Sequence, residues 1–273
     1  MGGSDKLQAT YGRLMNRLGG LASVVVAFSG GVDSTLLLRC AREALGDQVL
    51  ALTVDTPYLP RRELTEARDL ARQIGARHRL VRLPLPPEIE ANPEERCYLC
   101  KKIVFSRILA EAGRLKIPHV LDGTNHDDLG DYRPGLRALS ELAVLSPLAE
   151  VGLAKAEIRA LSRKLGLPTW DKPAYSCLLT RLPHGVAVKP EILTRIEAAE
   201  NYLINAGFTA VRVRVHGKLA RIEIPPGDFE TFMAFNQRAD VAEEFREFGF
   251  DFASLDLRGY RSGSMDPKAS KTY

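Results

Sequence analysis

The chain of 273 residues carries 38 basic and 34 acidic side chains, a formal charge of +4, with 45% hydrophobic and 26% charged residues, 22 Gly and 16 Pro. These are ordinary globular values that exclude disordered, collagen-like and low-complexity classes, and the length allows about two domains. The charge is too small for a dedicated nucleic-acid or membrane-surface protein, so partners must be argued from sites. No apolar run is long enough to span a bilayer, and the first residues lack the layout of a signal peptide, so a cytoplasmic location is expected. Residues 5–19 have helical character. The β-branched run 22–28 reads as a strand buried on both faces, and it ends in Ser29-Gly30-Gly31-Val32-Asp33-Ser34-Thr35 before an apolar helix. Strands over 49–54, 78–83 and 119–122 then alternate with helices over 61–74 and 97–114, which predicts parallel βαβ units in a doubly wound α/β sheet. A fifth strand is expected over 144–146 and a helix over 155–165.

From 167 to 190 the texture changes, with prolines at 168, 173, 183 and 190 and no clear period. Such long connections are usually functional or linkers. Beyond it, a helix over 191–206, alternating strands over 211–215 and 219–224 joined by 216–218, a helix over 229–248 and a strand over 252–257 predict a separate small α+β domain. The expected division is therefore 1–166, a connection 167–190, a small domain 191–258 and a fraying tail 259–273.

The string after the first strand has a direct chemical meaning. Glycines let the backbone approach a ligand, and the amides and dipole of the following helix hold an anion. Ser29, Ser34 and Thr35 add hydroxyl donors. No Lys follows the glycines, so the pattern is neither a Walker loop nor GxGxxG. Asp33 would repel phosphate unless Mg²⁺ bridged them.

Four cysteines in a chain of this length are no disulfide framework. Cys40 sits among leucines and reads as packing. Cys97 and Cys100 share one face at a helix start, where amides favour thiolate, and Cys177 lies in the long connection. Three such thiolates suit a metal, an iron–sulfur cluster or a redox pair.

SGGVDST resembles the PP-loop of the ATP pyrophosphatases, which cleave ATP between the α and β phosphates and adenylylate a substrate. The resemblance implies that residues 29–35 grip pyrophosphate and that Ala27-Phe28 and Thr53-Val54 hold adenine through their backbone. It further implies a second ATP segment at Asp122-Gly123-Thr124-Asn125, with Asp122 a second candidate Mg²⁺ ligand. Three more strings, at 131–137, 177–185 and 211–223, narrow the likeness to the LarE family along residues 5–265. That family makes a nickel-pincer nucleotide by adenylylating carboxylates of pyridinium-3,5-biscarboxylate mononucleotide and replacing oxygen by sulfur.

Some members consume their own cysteine, in the segment around Cys177, whereas others carry three cysteines and a [4Fe-4S] cluster. Cys97, Cys100 and Cys177 make this sequence similar to the cluster type, with ATP and Mg²⁺ as the other cofactors. Lys101, Arg133 and Arg137 are candidates for neutralising phosphates during adenylylation. Arg212 and Arg214, two apart on one strand, are candidates for clamping the substrate phosphate, joined by Arg181. Glu200, Glu223 and Asp228 match family positions linked to a metal near that site. The family also implies a homo-oligomer, a hexamer or other multiple. A tRNA thiolase of the same superfamily is the rival, disfavoured by the modest charge and the lack of zinc-finger cysteines.

Overall fold

The structure, a computed structural model, describes residues 3–130, 134–173 and 176–261. Arg133 and most of the expected tail, 262–273, lie outside the described residues. The chain divides into two compact units, one of 1–86 with 95–175, the other of 87–94 with 176–273. The connection 167–190 is thus shared between them, and an eight-residue excursion from the first half belongs to the second unit.

The first unit runs α1 (Gly3–Gly19), β1 (Val24–Ala27), α2 (Val32–Leu45), β2 (Val49–Asp55), α3 (Arg61–Ile74) and β3 (Arg77–Arg82). After the turn α4 (Pro87–Glu90), which belongs to the second unit, it resumes with α5 (Arg96–Arg114), β4 (His119–Leu121), α6 (Pro134–Glu141), α7 (Pro147–Glu150) and α8 (Lys155–Lys164). Its four strands are all parallel in the order β3-β2-β1-β4. Val24 and Val26 face a core built with α1, α2 and α8, whereas Val25 faces another built with α5 and α6. Strand side chains alternate faces, so a continuous β-branched run is what a sheet covered on both sides requires. Cys40 packs in the first of these cores, as expected of it. The fifth strand expected over 144–146 shrinks to one parallel bridge between Leu121 and Leu145. Its neighbours bend away at once, because Ala143 has a left-handed φ of 52° and Pro147 has no N–H to continue a ladder.

The second unit contains α9 (Pro190–Asn205), β5 (Arg212–His216), β6 (Leu219–Glu223), α10 (Phe229–Ala239), α11 (Val241–Glu247) and β7 (Phe252–Leu255). β5 and β6 form an antiparallel hairpin and β7 lies parallel to β6. The helix expected over 229–248 is broken at Asp240, whose φ is +43° and whose side chain accepts the Glu243 amide at the start of α11. Asp tolerates this conformation and caps well, so one residue ends the first helix and starts the next. Asn92 ties residues 87–94 into the unit by donating to the carbonyls of Leu182 and Pro183 at 3.3 and 2.8 Å. Among the described residues no helix is long and apolar enough to cross a membrane.

Candidate functional site

At the C-terminal edge of the parallel sheet, β1 delivers the chain into residues 29–35. This is where ligands bind in open α/β sheets. Gly30 has φ +72°, and a Cβ there would lie 3.2 Å from the Ala67 Cα of α3, so both conformation and space demand glycine. Gly31 is the N-cap of α2 and has no side chain to cap the helix, which leaves the first-turn amides for an incoming acceptor. The hydroxyls are already organised. Ser29 and Ser34 Oγ lie 3.1 Å apart, Gly31 N–H donates to Ser29 Oγ at 3.3 Å, and Ser34 Oγ donates to the Gly31 carbonyl at 3.2 Å. Thr35 is fully buried, its Oγ1 without a hydrogen-bond partner among the described residues, and polar atoms are seldom left so.

Asp33 is the charged member of the loop. Its Oδ2 meets Lys155 Nζ at 2.5 Å and its Oδ1 accepts from Asn125 Nδ2 at 3.4 Å. Lys155 is the first residue of α8, where the helix dipole disfavours a cation, so its position is explained by Asp33 and not by the helix. A half-exposed carboxylate beside a phosphate cradle fits Mg²⁺, which takes one or two carboxylates and completes its shell with phosphate oxygens and water. Asp122 is a poorer ligand: its two oxygens accept from Ser146 Oγ at 2.6 Å and Thr124 Oγ1 at 2.5 Å. It also lies 3.9 Å from Lys101 Nζ. Gly123 packs directly on the loop, since a Cβ there would lie 3.1 Å from the Ser34 amide nitrogen. The structure therefore brings Asp33, Ser34, Lys101, Asp122 and Gly123 into one neighbourhood and adds Asn125, Ser146 and Lys155.

At the strand ends, Phe28 N–H donates to the Leu52 carbonyl at 2.9 Å, and Thr53 Oγ1 donates to the Phe28 carbonyl at 2.6 Å. His78 Nε2 lies 2.9 Å from the same hydroxyl, which must accept from it because its own proton goes to Phe28. Burial, aided by Arg68, holds the His78 pKa below the ordinary value of 6.5. Arg137 stacks on the Tyr98 ring at 3.9 Å and lies 3.5 Å from Glu141, which places it against the helix that carries Cys97 and Cys100.

Cys97 and Cys100 stand one turn apart in the first turns of α5, the first exposed and the second half-buried. The Tyr58 hydroxyl, on a buried side chain, is 3.2 Å from Cys100 Sγ. In the second unit, Cys177 opens a single 3-10 turn, and its carbonyl accepts from Thr180 Oγ1 and Arg181 Nη1 at 2.9 and 3.1 Å. Within each unit, among the described residues, no group of three His, Cys, Asp or Glu side chains is arranged to hold a metal ion.

The small sheet carries an arginine–carboxylate layer. Arg181 is 1% exposed and makes paired hydrogen bonds, both 2.8 Å, to Glu200, which also accepts the Val213 amide at 2.9 Å. Arg214 bonds Glu223 at 2.8 and 3.0 Å and the Thr180 carbonyl at 2.7 Å. Glu223 is completely buried and also receives Arg221. Arg212 donates to the Val211 carbonyl at 2.7 Å and lies over the Tyr260 ring at 5.0 Å. Burial first, and then the nearby Arg181 charge, push the Arg212 pKa down. For Arg181 burial acts the same way, but Glu200, joined by Cys177 and Tyr260, outweighs it and the pKa is raised. The strand expected to be half-buried is therefore buried along both faces from Arg212 to Val215, and Glu200 and Glu223 face arginines.

The NAD synthase family model matches residues 12–94, the segment that contains the loop and its flanking strands. An uncharacterised protein of Synechocystis is 41% identical over 97% of this chain and 100% of its own length. The pyridinium-3,5-bisthiocarboxylic acid mononucleotide synthase of Lactiplantibacillus plantarum is 38% identical over 94% of each chain. With a phosphate loop at the edge of a parallel sheet and an end-to-end match of this kind, the chain belongs to the LarE family of pyridinium-3,5-bisthiocarboxylic acid mononucleotide synthases.

Proposed function

We propose that the chain is an ATP-dependent sulfurtransferase, forming AMP and pyrophosphate, that adenylylates carboxylates of pyridinium-3,5-biscarboxylate mononucleotide and replaces oxygen by sulfur. The product is a thiocarboxylate for a nickel-pincer cofactor. The observation that carries this reading is the match to the Lactiplantibacillus plantarum synthase along nearly the whole of both chains. A carboxylate is a poor electrophile, and attaching AMP to it with loss of pyrophosphate creates a leaving group. The amides of residues 29–35 bind the β and γ phosphates, and Lys101 and Lys155 supply positive charge beside them. Mg²⁺ held by Asp33 would neutralise the same oxygens, and Lys155 then leaves Asp33 for phosphate.

The substrate's own phosphate is assigned to Arg181, Arg212 and Arg214. Of these Arg212 gains most from an anion, because its charge is disfavoured by burial and by its arginine neighbours. A [4Fe-4S] cluster on Cys97, Cys100 and Cys177 would supply a transferable sulfide. The placement of Cys97 and Cys100 one turn apart at a helix start, with Tyr58 against the second thiol, suits ligation. The protein works as a homo-oligomer without nucleic acid or membrane partners.

Two measurements test this. Asp33→Asn should lower pyrophosphate release about a hundredfold or more, the scale of losing one charge-stabilising group; undiminished release overturns the role of Asp33. Anaerobically reconstituted protein should hold about four iron and four sulfide per chain, lost in Cys97→Ala. A single turnover of iron-free protein, with Cys177 converted to dehydroalanine, would instead establish the sacrificial route.

A further inference from the structure

Behind the loop lies a second cation that the proposed chemistry does not use. Lys172, only 12% exposed, places Nζ 3.2 Å from the Gly30 carbonyl, 2.7 Å from Glu66 Oε2 and 3.2 Å from Glu63 Oε2. Both glutamates belong to α3, as does Ala67, which a Cβ on Gly30 would meet at 3.2 Å. The chain around Lys172 is itself held: Arg159 donates to the Trp170 and Lys172 carbonyls at 2.6 and 2.9 Å, and Arg163 lies over the Trp170 ring at 4.9 Å. Lys155, Arg159 and Arg163 follow each other at intervals of four on α8, hence along one stripe of that helix. One helix thus sends a cation to Asp33 at the front of the loop and clamps the segment that carries a cation to its back.

We propose that Lys172 is a positioning residue for the pyrophosphate loop, acting through the Gly30–Gly31 peptide. In a trans peptide the C=O and N–H point in opposite directions. An ammonium that captures the Gly30 oxygen from behind therefore aims the Gly31 N–H towards the anion site and polarises it into a stronger donor. That amide now makes a long bond of 3.3 Å to Ser29 Oγ, which an anionic oxygen displaces. Glu63 and Glu66 hold the ammonium in place. Burial raises the Glu63 pKa against the pull of Lys172, and Glu63 Oε1 is buried with no hydrogen-bond partner among the described residues. Lys172 and Glu63 are thus largely withdrawn from solvent, whereas Glu66 stays partly exposed and also meets Arg62 at 3.5 Å.

The inference rests on the reading of residues 29–35 as a pyrophosphate site, and the test separates the two. Calorimetric titration of inorganic pyrophosphate with Mg²⁺ into the full chain should give binding in the parent protein. Binding should be about tenfold to a hundredfold weaker in Lys172→Met, the scale of one hydrogen bond to a charged group. Because Lys172→Met leaves two carboxylates without their cation, the triple variant Glu63→Gln, Glu66→Gln, Lys172→Met is measured beside it, with near-ultraviolet circular dichroism to establish its fold. The Gly31 amide proton should move downfield when pyrophosphate binds the parent, and move less in the folded triple variant. Parent-like affinity in a folded variant overturns the inference alone, as does weakened binding with a parent-like Gly31 response. A parent protein that does not bind pyrophosphate overturns both the inference and the loop assignment.

Discussion

Two regions of this chain gather cations beside carboxylates, in opposite ways. At the sheet edge of the first unit the cations are lysines: Lys101 and Lys155 are about a third exposed and each meets one carboxylate at a single point. In the second unit they are arginines, with Arg181 and Arg214 almost wholly buried and held by two hydrogen bonds each to Glu200 and Glu223. A lysine point charge on a flexible stem can be handed from a carboxylate to a phosphate, whereas the guanidinium fork is fixed in one geometry. The cations of the first region can therefore change partners, whereas those of the second are held in one arrangement.

The sharpest way to break the comparison is to remove Glu223. Glu223→Ala leaves Arg214 buried without its carboxylate, which costs about 3–5 kcal/mol, the scale measured when one partner of a buried pair is deleted. Urea unfolding followed in the second unit should show this as a large fall in midpoint, and a fall of under about 1 kcal/mol would place the layer with ordinary surface pairs. At the first region, Gly30→Ala imposes φ +72° on an alanine whose Cβ meets the Ala67 backbone. The expected cost is about 1–3 kcal/mol of stability, together with loss of pyrophosphate binding. Retained binding with a parent-like melting curve would show that the loop is not shaped by α3.

The sequence made one region more legible than the other for a physical reason. The loop is local: a β-branched run, two glycines, an acidic residue and hydroxyls all lie within a dozen positions, and neighbouring backbone enforces their arrangement. Period two correctly put Arg212 and Arg214 on one face, but nothing in that pattern says that Glu223 faces Arg212 across the hairpin or that Glu200 reaches Arg181 from α9. Lys155 and Lys172 were missed because they reach the loop from 122 and 142 positions away. A local hint existed for Lys155, a cation at the first position of a helix, against its dipole. Residues 87–94 joined the second unit through Asn92, whose side-chain bonds to distant carbonyls leave no periodic signal.

The smallest effect probes how rigid the first region is at the ends of β1 and β2. Thr53 Oγ1 holds the Phe28 carbonyl and so ties the ends of β1 and β2, and His78 Nε2, from β3, donates to that same hydroxyl and fixes it. Burial and Arg68 keep its folded pKa below 6.5. As pH falls through 6.5 the unfolded chain therefore binds this proton before the folded one does. Stability fully present above pH 6.5 is lost as pH falls to the folded value. His78→Gln keeps an N–H donor for Thr53 but does not titrate. Urea midpoints taken at about pH 7.5 and about pH 5 should therefore differ less in His78→Gln than in the parent. An equal difference would assign the acid loss elsewhere, with His216, whose pKa is also lowered by partial desolvation and by Arg221, the first alternative. If the parent alone loses ATP affinity in step with stability, these strand ends belong to the ATP site and the tie at Thr53 shapes them; if affinity holds while stability falls, ATP binding does not depend on that tie.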